Sequence, residues 1–200
     1  MALLDFTSDA ASPTLIADAV VLRRPRNAHF EAWRALRERS RDHLTRWEPD
    51  WTEEEASQTV FKEKIKAYHR AARRGVAAPF FIFLREDDTL IGGANLLNIM
   101  RGASQSAALG YWVGEDHTRR GYGTSAVRAV LDFAFSTLGL NRVEAACQPE
   151  NAASRALLGG LGFREEGCAR HYLHINGAWR DHLIFAMIAA DWRERSLMLR

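Results

Sequence analysis

The chain has 200 residues, of which 47% are hydrophobic and 26% are charged, with a formal net charge of +2 at pH 7. This length and composition fit one globular domain with a full core and argue against a second one. The charge is too small for a generic nucleic-acid binder, and no run of eighteen apolar residues predicts a transmembrane span. The amino-terminal stretch lacks the regions of an ordinary signal peptide, so we expect a cytoplasmic protein that needs neither membrane nor nucleic acid.

The amino-terminal end and the cysteines carry few functional signals. Residues 1–14 are polar and predict a disordered tail, which leaves residues 15–200 as one domain. Cys147 and Cys168 fall in strand-like runs and have no metal-ligand spacing. We therefore expect two buried, reduced thiols, no disulfide and no metal site.

The first half of the domain predicts one strand and two helices before the main sheet. The strand covers residues 19–24, and Asn27 is placed to cap a helix whose apolar residues recur at helical spacing. Thr52 and Glu55 form the pattern of a capping box for a second, longer helix, and Gly75 lies just beyond its expected end.

The second half predicts six strands and one crossover. Strands are expected at 80–84, 89–99, 106–114, 142–147, 168–175 and 178–188. A helix that begins at about Thr124 connects the third of these strands to the fourth, and such a unit joins parallel strands. Asn176 and Gly177 form a strong hairpin signal between the last two strands. The pattern predicts an α/β (α+β) fold with a mixed, mostly antiparallel sheet of about seven strands flanked by helices.

A pair of glycines lies between a predicted strand and the crossover helix. Gly121 and Gly123 let the backbone approach a ligand closely, and the first turn of the following helix offers unpaired N–H groups at its positive dipole end. This arrangement suits a phosphate group. Loops that enter helices also use glycine for steric reasons alone. The flanking sequence must therefore show whether this loop binds a ligand.

One ligand to consider for this glycine loop is a dinucleotide. Residues 121–126 read GYGTSA, which fits the G-x-G-x-x-G/A fingerprint, and Glu144 lies at a suitable distance downstream. That fold needs repeated strand-helix units with the glycines in the first of them, whereas hairpins flank this loop and Glu144 lies early in its strand. A kinase-type phosphate loop is weaker still, because no Lys-Ser/Thr pair follows the glycines.

The wider sequence resembles an acetyltransferase family. Motifs of the GNAT superfamily of acetyl-CoA-dependent N-acetyltransferases are matched by TRRGYGT at 118–124, NAAS at 151–154 and LGF at 161–163. The family signature is Gln/Arg-x-x-Gly-x-Gly/Ala, and Thr118 stands in its first place. This departure removes one usual side chain and leaves the backbone cradle. The resemblance implies a V-splayed sheet that acetyl-CoA enters.

A narrower resemblance is to the RimJ/RimL branch of this superfamily. It is carried by HL at 43–44, WEP at 47–49, GAN at 93–95, RG at 101–102, LGY at 109–111 and NGAWRDH at 176–182. These enzymes acetylate N-terminal amines of ribosomal proteins, and the RimJ type is the closer match. The similarity spans about residues 19–192.

The resemblance implies a donor site on the glycine loop and on the strand before it. Backbone N–H groups of the loop would hold the pyrophosphate, while the strand edge would pair with the pantetheine amides like an added strand. The residues implied in donor binding are Trp112, Val113, Arg119, Arg120, Gly121, Tyr122, Gly123, Thr124, Asn151 and Ser154. Asn151 would fix the pantetheine arm, and Ser154 would protonate the departing thiolate. Apart from the family, Asn151 with Ser154 is also the pattern of a helix cap, and the two arginines could simply be solvated.

The general base is the least defined part of the predicted site. RimL-type enzymes carry a glutamate where this chain has Leu173, and the alternative glutamate of the superfamily corresponds to Ala107. An α-amine with a pKa of about 7.7 to 8.0 is roughly 10% or more neutral at pH 7, against about 0.04% for a lysine amine. A weak base therefore suffices for an N-terminus, and Glu48 is the candidate catalytic carboxylate. The alternative for Glu48 is an exposed charge beside a packed Trp47.

The remaining acceptor-side candidates are Trp47, Asn95 and Asn98, although one asparagine at least could be a satisfied bulge residue. The sequence thus predicts transfer of acetyl to the N-terminal amine of a protein, with the alanine-type N-terminus of a ribosomal protein as the expected acceptor. The alternatives are a small-molecule amine, such as an amino acid, polyamine or antibiotic, and a non-catalytic acyl-CoA-binding or ribosome-assembly module. We expect a monomer or a homodimer.

Overall fold

The computed structural model describes residues 13–198, so residues 1–12 of the predicted tail lie outside the described residues. Within the described part, one eight-stranded sheet is flanked by α-helices. The strands are β1 (Leu15–Ile16), β2 (Val20–Arg23), β3 (Ala78–Leu84), β4 (Leu90–Met100), β5 (Ser106–Val113), β6 (Arg142–Cys147), β7 (Arg164–Ile175) and β8 (Ala178–Ile188). The helices are α1 (Phe30–Arg39), α2 (Arg41–Leu44), α3 (Gln58–Arg73), α4 (Tyr122–Asp132), α5 (Ala152–Leu161) and α6 (Ala189–Met198), and a π-helical turn, Phe133–Thr137, continues α4.

The sheet is mixed, as predicted. Its strands lie in the order β1-β2-β3-β4-β5-β6-β8-β7, and neighbours are antiparallel except for β5 and β6. The parallel pair is the one joined through α4, which confirms the crossover. The strand beyond the predicted seven is β1, whose two residues are too short to give a sequence pattern.

The strands β5 and β6 pair only over their first residues. Their parallel ladder ends where Leu109 lies opposite Ala145. Beyond this point β5 continues to Val113 beside β4 alone, and β6 continues to Cys147 beside β8 alone. The two halves of the sheet therefore separate, as the V-splayed prediction requires. We call the space between them the wedge; it opens toward the carboxyl end of β5, where the glycine loop begins.

Two cores hold helices against the sheet. The alternation of side chains along β3 sends Phe80 and Ile82 into the core shared with α4 and α5, and Phe81 and Phe83 into the core shared with α1 and α3. The second core is strongly aromatic, because Phe61 of α3 packs between rings from α1 and β3. These cores fix α1 and α4 on opposite faces of the sheet.

Two predicted helix starts are wrong. Asn27 begins a short 3₁₀ turn, and α1 follows it without a side-chain cap. Thr52 and Glu55 do exchange the two hydrogen bonds of a capping box, at 2.7 Å and 3.2 Å. They close a turn ahead of α3, however, and the N-cap of α3 is Ser57.

The prediction of two buried thiols is wrong for one of them. Cys147 is buried, whereas Cys168 is exposed because β7 is the edge strand of the sheet. Both thiols are free. Each lies opposite Leu183 of β8, on either side of that strand, so a whole strand separates them.

Candidate active site

The glycine loop leads from β5 into the first turn of α4. Gly121 has a φ of 79°, in the left-handed region that favours glycine. The N–H of Ser125 donates to the carbonyl oxygen of Gly121 at 2.9 Å, the first hydrogen bond of the helix. The amides before it, those of Tyr122, Gly123 and Thr124, therefore have no partner inside the helix and lie at the positive end of its dipole. This geometry suits a phosphate group.

The two glycines are required for different reasons. A Cβ at Gly121 would meet nothing within 4 Å, so the requirement there is conformational. A Cβ at Gly123 would lie 3.2 Å from Leu157 Cδ1 of α5 and 3.5 Å from Val113 Cγ2 of β5. The start of α4 thus lies against both β5 and α5, and it forms a cradle that a side chain would narrow.

Three polar residues precede the glycines. The hydroxyl of Thr118, which stands where the family signature has Gln or Arg, donates to the carbonyl oxygen of Glu115 at 2.9 Å. It is therefore turned back onto the preceding turn. Arg119 and Arg120 are exposed, and neither has a hydrogen bond or ion pair within residues 13–198. Both guanidinium groups are free to reach a phosphate.

The edge of β5 offers backbone groups to the wedge. The N–H of Gly114 donates to Ile91 of β4 at 2.9 Å. Because successive residues of a strand point their N–H groups to opposite sides, the N–H of Val113 faces away from β4 and into the wedge. Trp112 points its side chain to the face that carries α1, where it packs against the aromatic core and against a small cluster of Leu44, Trp51 and Ala56.

Asn151 is the N-cap of α5, as its helix-cap alternative predicts. Its Oδ1 accepts a hydrogen bond from the N–H of Ser154 at 3.0 Å, and the residue is 9% exposed. Its Nδ2 has no hydrogen-bond partner within the described part of the chain. The cap and a ligand contact are therefore compatible, because they use different atoms of one amide.

Tyr111 is a further candidate site residue, and no sequence pattern gave it a role. Its hydroxyl, on β5, is buried and has no hydrogen-bond partner among the described residues. Burial raises the pKa of Tyr111 to about 12, although interaction with Ser154 opposes this rise and Cys147 adds to it. Ser154 therefore lies close enough to influence this hydroxyl, yet the two groups do not meet hydrogen-bond geometry. The hydroxyl is protonated at neutral pH and can donate a hydrogen bond.

Glu48 forms an ion pair on the α1 face of the sheet. Arg37 Nη2 of α1 lies 2.6 Å from Glu48 Oε1, and the two side chains are 12% and 31% exposed. The Arg37 guanidinium also lies 3.9 Å from the ring centre of Trp51 and 5.4 Å from that of Trp112. Glu48 is thus half-buried rather than an exposed charge; its Oε1 is in ionic contact with Arg37 but accepts no hydrogen bond from the described residues. No sequence pattern pointed to Arg37, because a helix residue and a loop residue at this spacing carry no recognisable signal.

The other predicted acceptor-side residues are used differently. Trp47 is half-buried in the loop that carries Glu48. Asn95 Oδ1 accepts from the N–H of Phe80 at 3.1 Å, so this side chain supports the pairing of β3 with β4. Asn98 is exposed, with a φ of 49°, where the register between β4 and β5 shifts. Asn98 is therefore a bulge residue, which was the alternative to a role on the acceptor side.

The structure also bears on the other ligand classes. Glu144, which a dinucleotide site would need, is hydrogen-bonded to Arg142 at 2.8 Å. The glycine loop follows the fifth strand of a mostly antiparallel sheet, not the first strand of a doubly wound one. Among residues 13–198, no three His, Cys, Asp or Glu side chains are grouped as a metal ion requires. In the same range, no helix has the length and apolar character needed to cross a membrane.

Known proteins similar to this chain share one enzyme family. The model for the acetyltransferase (GNAT) domain matches residues 19–164. A probable N-acetyltransferase of Bacillus subtilis (strain 168) is 40% identical over 130 residues, which cover 65% of this chain and 72% of the relative. The ribosomal protein uS5-alanine N-acetyltransferase of Escherichia coli (strain K12) is 30% identical over 189 residues, which cover 94% of this chain and 96% of the relative. The solved structure of Mycobacterium smegmatis RimJ in complex with CoA-disulfide is 37% identical with a TM-score of 0.83, and the match covers 90% of this chain and 87% of that one.

These similarities agree with the geometry of the wedge. The cradle at Gly123, the unpaired amides of α4 and the free edge of β5 fit a coenzyme A molecule, and the similar RimJ was solved with CoA-disulfide. The resemblance to the RimJ/RimL branch is confirmed, and acetyl-CoA is the co-substrate. The chain therefore belongs to the GNAT acetyltransferase family and is an N-acetyltransferase.

Proposed function

We propose that the protein transfers acetyl from acetyl-CoA to the N-terminal α-amine of a ribosomal protein, with an alanine-type N-terminus as its acceptor. The observation that carries this proposal is the similarity, over 94% of the chain, to an enzyme that acts on the alanine of ribosomal protein uS5. The likeness to Mycobacterium smegmatis RimJ supports it. Such an acceptor places the reaction in the cytoplasm.

On the donor side, backbone groups do most of the binding. The amides at the start of α4 hold the pyrophosphate, with Arg119 and Arg120 beside them. The N–H of Val113 faces the thioester oxygen. Because the sheet holds this hydrogen-bond donor in place, it can stabilise the oxyanion of the transition state without reorganisation. The free Nδ2 of Asn151 binds the pantetheine arm.

On the acceptor side, the site favours an amine that is already partly neutral. The two positions where related enzymes carry a glutamate hold Leu173 and Ala107, and neither side chain can accept a proton. An α-amine is roughly 10% or more neutral at pH 7, so it needs only a weak base. Glu48 receives the proton through water, while Arg37 holds its Oε1. A lysine amine, about 0.04% neutral at that pH, would react far more slowly at this site.

The departing thiolate needs a proton, and we assign its transfer to Ser154. General acid catalysis contributes about 10²-fold to 10⁴-fold, so Ser154→Ala should lower kcat by about 10²-fold or more. The KM for acetyl-CoA should stay nearly unchanged, because the substitution leaves the cradle and the edge of β5 intact. Ser104→Ala, in an exposed turn between β4 and β5, is the matched control and should leave kcat unchanged. Unchanged turnover in Ser154→Ala would rule out its acid role.

The acceptor is tested with peptides. We expect acetylation of a peptide with a free N-terminal alanine, slower reaction of the same peptide beginning with serine, and no reaction of the N-acetylated peptide that retains one internal lysine. Activity on amino acids, polyamines or antibiotics but on no peptide would replace the proposed acceptor with a small-molecule amine. Coenzyme A binding without acetylation of any amine would indicate a binding module instead.

A further inference from the structure

One loop connects the two halves of the sheet that separate beyond Leu109. We call these halves the β5 arm (β1 to β5) and the β8 arm (β6, β8 and β7). Residues 45–51, which we call the bridging loop, lie between α2 and the turn before α3. On the β5 side, Trp51 of this loop packs in a cluster with Trp112. On the β6 side, Gln148 Nε2 donates to the carbonyl oxygen of Arg46 at 3.4 Å. The bridging loop carries Trp47 and Glu48, so whatever positions the loop also positions these side chains.

Three hydrogen bonds to the bridging loop come from the turn between β7 and β8. Asn176 Nδ2 donates to the carbonyl oxygen of Thr45 at 2.6 Å and to that of Glu48 at 3.4 Å. Asn176 Oδ1 accepts from the N–H of Asp50 at 2.7 Å. A single amide thus satisfies three backbone groups of a loop that lies more than 120 residues earlier in the chain.

These contacts are not a by-product of the turn. Asn176 and Gly177 have φ values of 47° and 81°, the two positive values that a tight hairpin turn needs. Glycine at 176 would meet that conformational need equally well. Only the asparagine side chain, however, offers one acceptor and two donor hydrogens at this position, which match the N–H and the two carbonyl oxygens of the loop.

The far end of the bridging loop is held independently. Arg41 Nη2 donates to Asp50 Oδ1 at 2.8 Å and to the carbonyl oxygen of Trp51 at 2.6 Å. Since Arg41 belongs to α2, these bonds fix the loop to its own helix and not to the β8 arm. Removal of the Asn176 side chain therefore breaks three hydrogen bonds between the bridging loop and the β8 arm, leaves the one from Gln148, and keeps the loop anchored to α2.

We propose that Asn176 is a positioning residue for the acceptor. It holds the bridging loop across the wedge, so that the Glu48 carboxylate and Trp47 face the incoming amine while the cradle for acetyl-CoA is formed separately by α4 and β5. The inference rests on the proposed function in one respect: the loop is taken to contact the amine.

The test is a substitution series at Asn176. Asn176→Gly keeps the turn and removes the amide, and loss of its hydrogen bonds should raise the KM for the alanine peptide by about tenfold. Asn176→Asp keeps an acceptor for the N–H of Asp50 but turns a carboxylate oxygen toward the carbonyl oxygens of Thr45 and Glu48, so it should raise the KM at least as much as Asn176→Gly. The dissociation constant of acetyl-CoA, measured by calorimetry, should not change. The matched control is His174→Ala, an exposed residue of the same hairpin that makes no hydrogen bond to the bridging loop.

Hydrogen exchange supplies a readout that does not depend on activity. The amide of Asp50 should exchange faster in Asn176→Gly than in the unchanged protein or in His174→Ala. Faster exchange with an unchanged KM for the peptide would overturn the positioning role, and so would an equal loss of donor and acceptor affinity. If no peptide is acetylated by the unchanged protein, the proposed function fails on its own. In that case, hydrogen exchange at Asp50 still tests whether Asn176 holds the bridging loop. An unchanged exchange rate in Asn176→Gly would overturn that contact.

Discussion

The Tyr111 hydroxyl permits a test of the site that does not depend on the acceptor. Tyr111→Phe removes a buried oxygen that lacks a hydrogen-bond partner and keeps the ring against β5. A buried polar group without a partner costs about 1–3 kcal/mol. We therefore expect Tyr111→Phe to raise the free energy of unfolding by about 1 kcal/mol without acetyl-CoA. In a protein of this size, that corresponds to an increase in Tm of about 2–4 °C.

The same substitution has a defined pH dependence. In the unfolded chain Tyr111 ionises near pH 10, its ordinary pKa, whereas burial raises the pKa of the folded state to about 12. The protonated phenol therefore contributes stability that is complete below pH 10 and is lost as the pH rises toward 12. At pH 11, midway between the two values, the loss amounts to about 1.4 kcal/mol. Tyr111→Phe does not titrate, so its advantage over the unchanged protein should grow by about that amount between pH 8 and pH 11.

Urea unfolding followed by tryptophan fluorescence measures both effects. Tyr172→Phe is the matched control, because that tyrosine is 48% exposed. The reasoning would be refuted if Tyr111→Phe were less stable than the unchanged protein at pH 8, since the hydroxyl would then have a favourable partner. If the gain in the free energy of unfolding over the unchanged protein grew equally in Tyr111→Phe and Tyr172→Phe between pH 8 and pH 11, the loss of stability at alkaline pH would not arise from the burial of Tyr111.

Two further predictions concern the glycine loop and the thiols. Gly121→Ala places a side chain at a φ of 79° and should lower the free energy of unfolding by about 1–2 kcal/mol. Gly123→Ala brings its Cβ to 3.2 Å from Leu157 Cδ1 and 3.5 Å from Val113 Cγ2, both ends of side chains, and should lower the free energy of unfolding less than half as much in urea unfolding; equal losses would contradict the assigned reasons. Iodoacetamide at pH 8 should modify the exposed Cys168 first, because Cys147 is buried and its pKa is raised to about 11, and mass spectrometry showing equal rates at both sites would contradict this order.

Local chemistry accounts for the parts of the fold that the sequence predicts well. The Asn176–Gly177 turn needs two adjacent positive φ values, and few residue pairs supply them. The parallel pairing of β5 with β6 follows from the crossover helix between them. The wedge itself is not visible in the strand patterns, because the point where pairing stops after Leu109 depends on the relative twist and length of two strands. Only the family resemblance predicted it.

Local chemistry also explains one error. The Thr52 and Glu55 hydrogen bonds form as a capping box should, yet they stabilise a turn. The start of α3 is set by Ser57, whose hydroxyl accepts from the N–H of Val60, and by the packing of Phe61. A capping pattern therefore reports where a helix can begin, while the core decides where it does.

Residues brought together from distant positions were the ones that the sequence could not pair. Glu48 was singled out as a base, but no pattern showed that Arg37 would hold its Oε1. Asn176 was recognised as a turn residue, although its side chain reaches the bridging loop. Tyr111 lies in the LGY motif at 109–111, and only the fold shows that its hydroxyl is buried near Ser154 of α5 without a hydrogen-bond partner.

The separation of β5 from β6 has a consequence for the lifetime of the protein. From Gly110 to Val113, one edge of β5 has no neighbouring strand, so the folded sheet is incomplete on its own. A donor that pairs with this edge completes the sheet and binds only the folded chain. At 100 times its Kd, such a ligand adds about 2.7 kcal/mol to the free energy of unfolding. We therefore expect the enzyme to be most resistant to unfolding and proteolysis when acetyl-CoA is abundant, so that its degradation in the cell would follow the supply of its substrate.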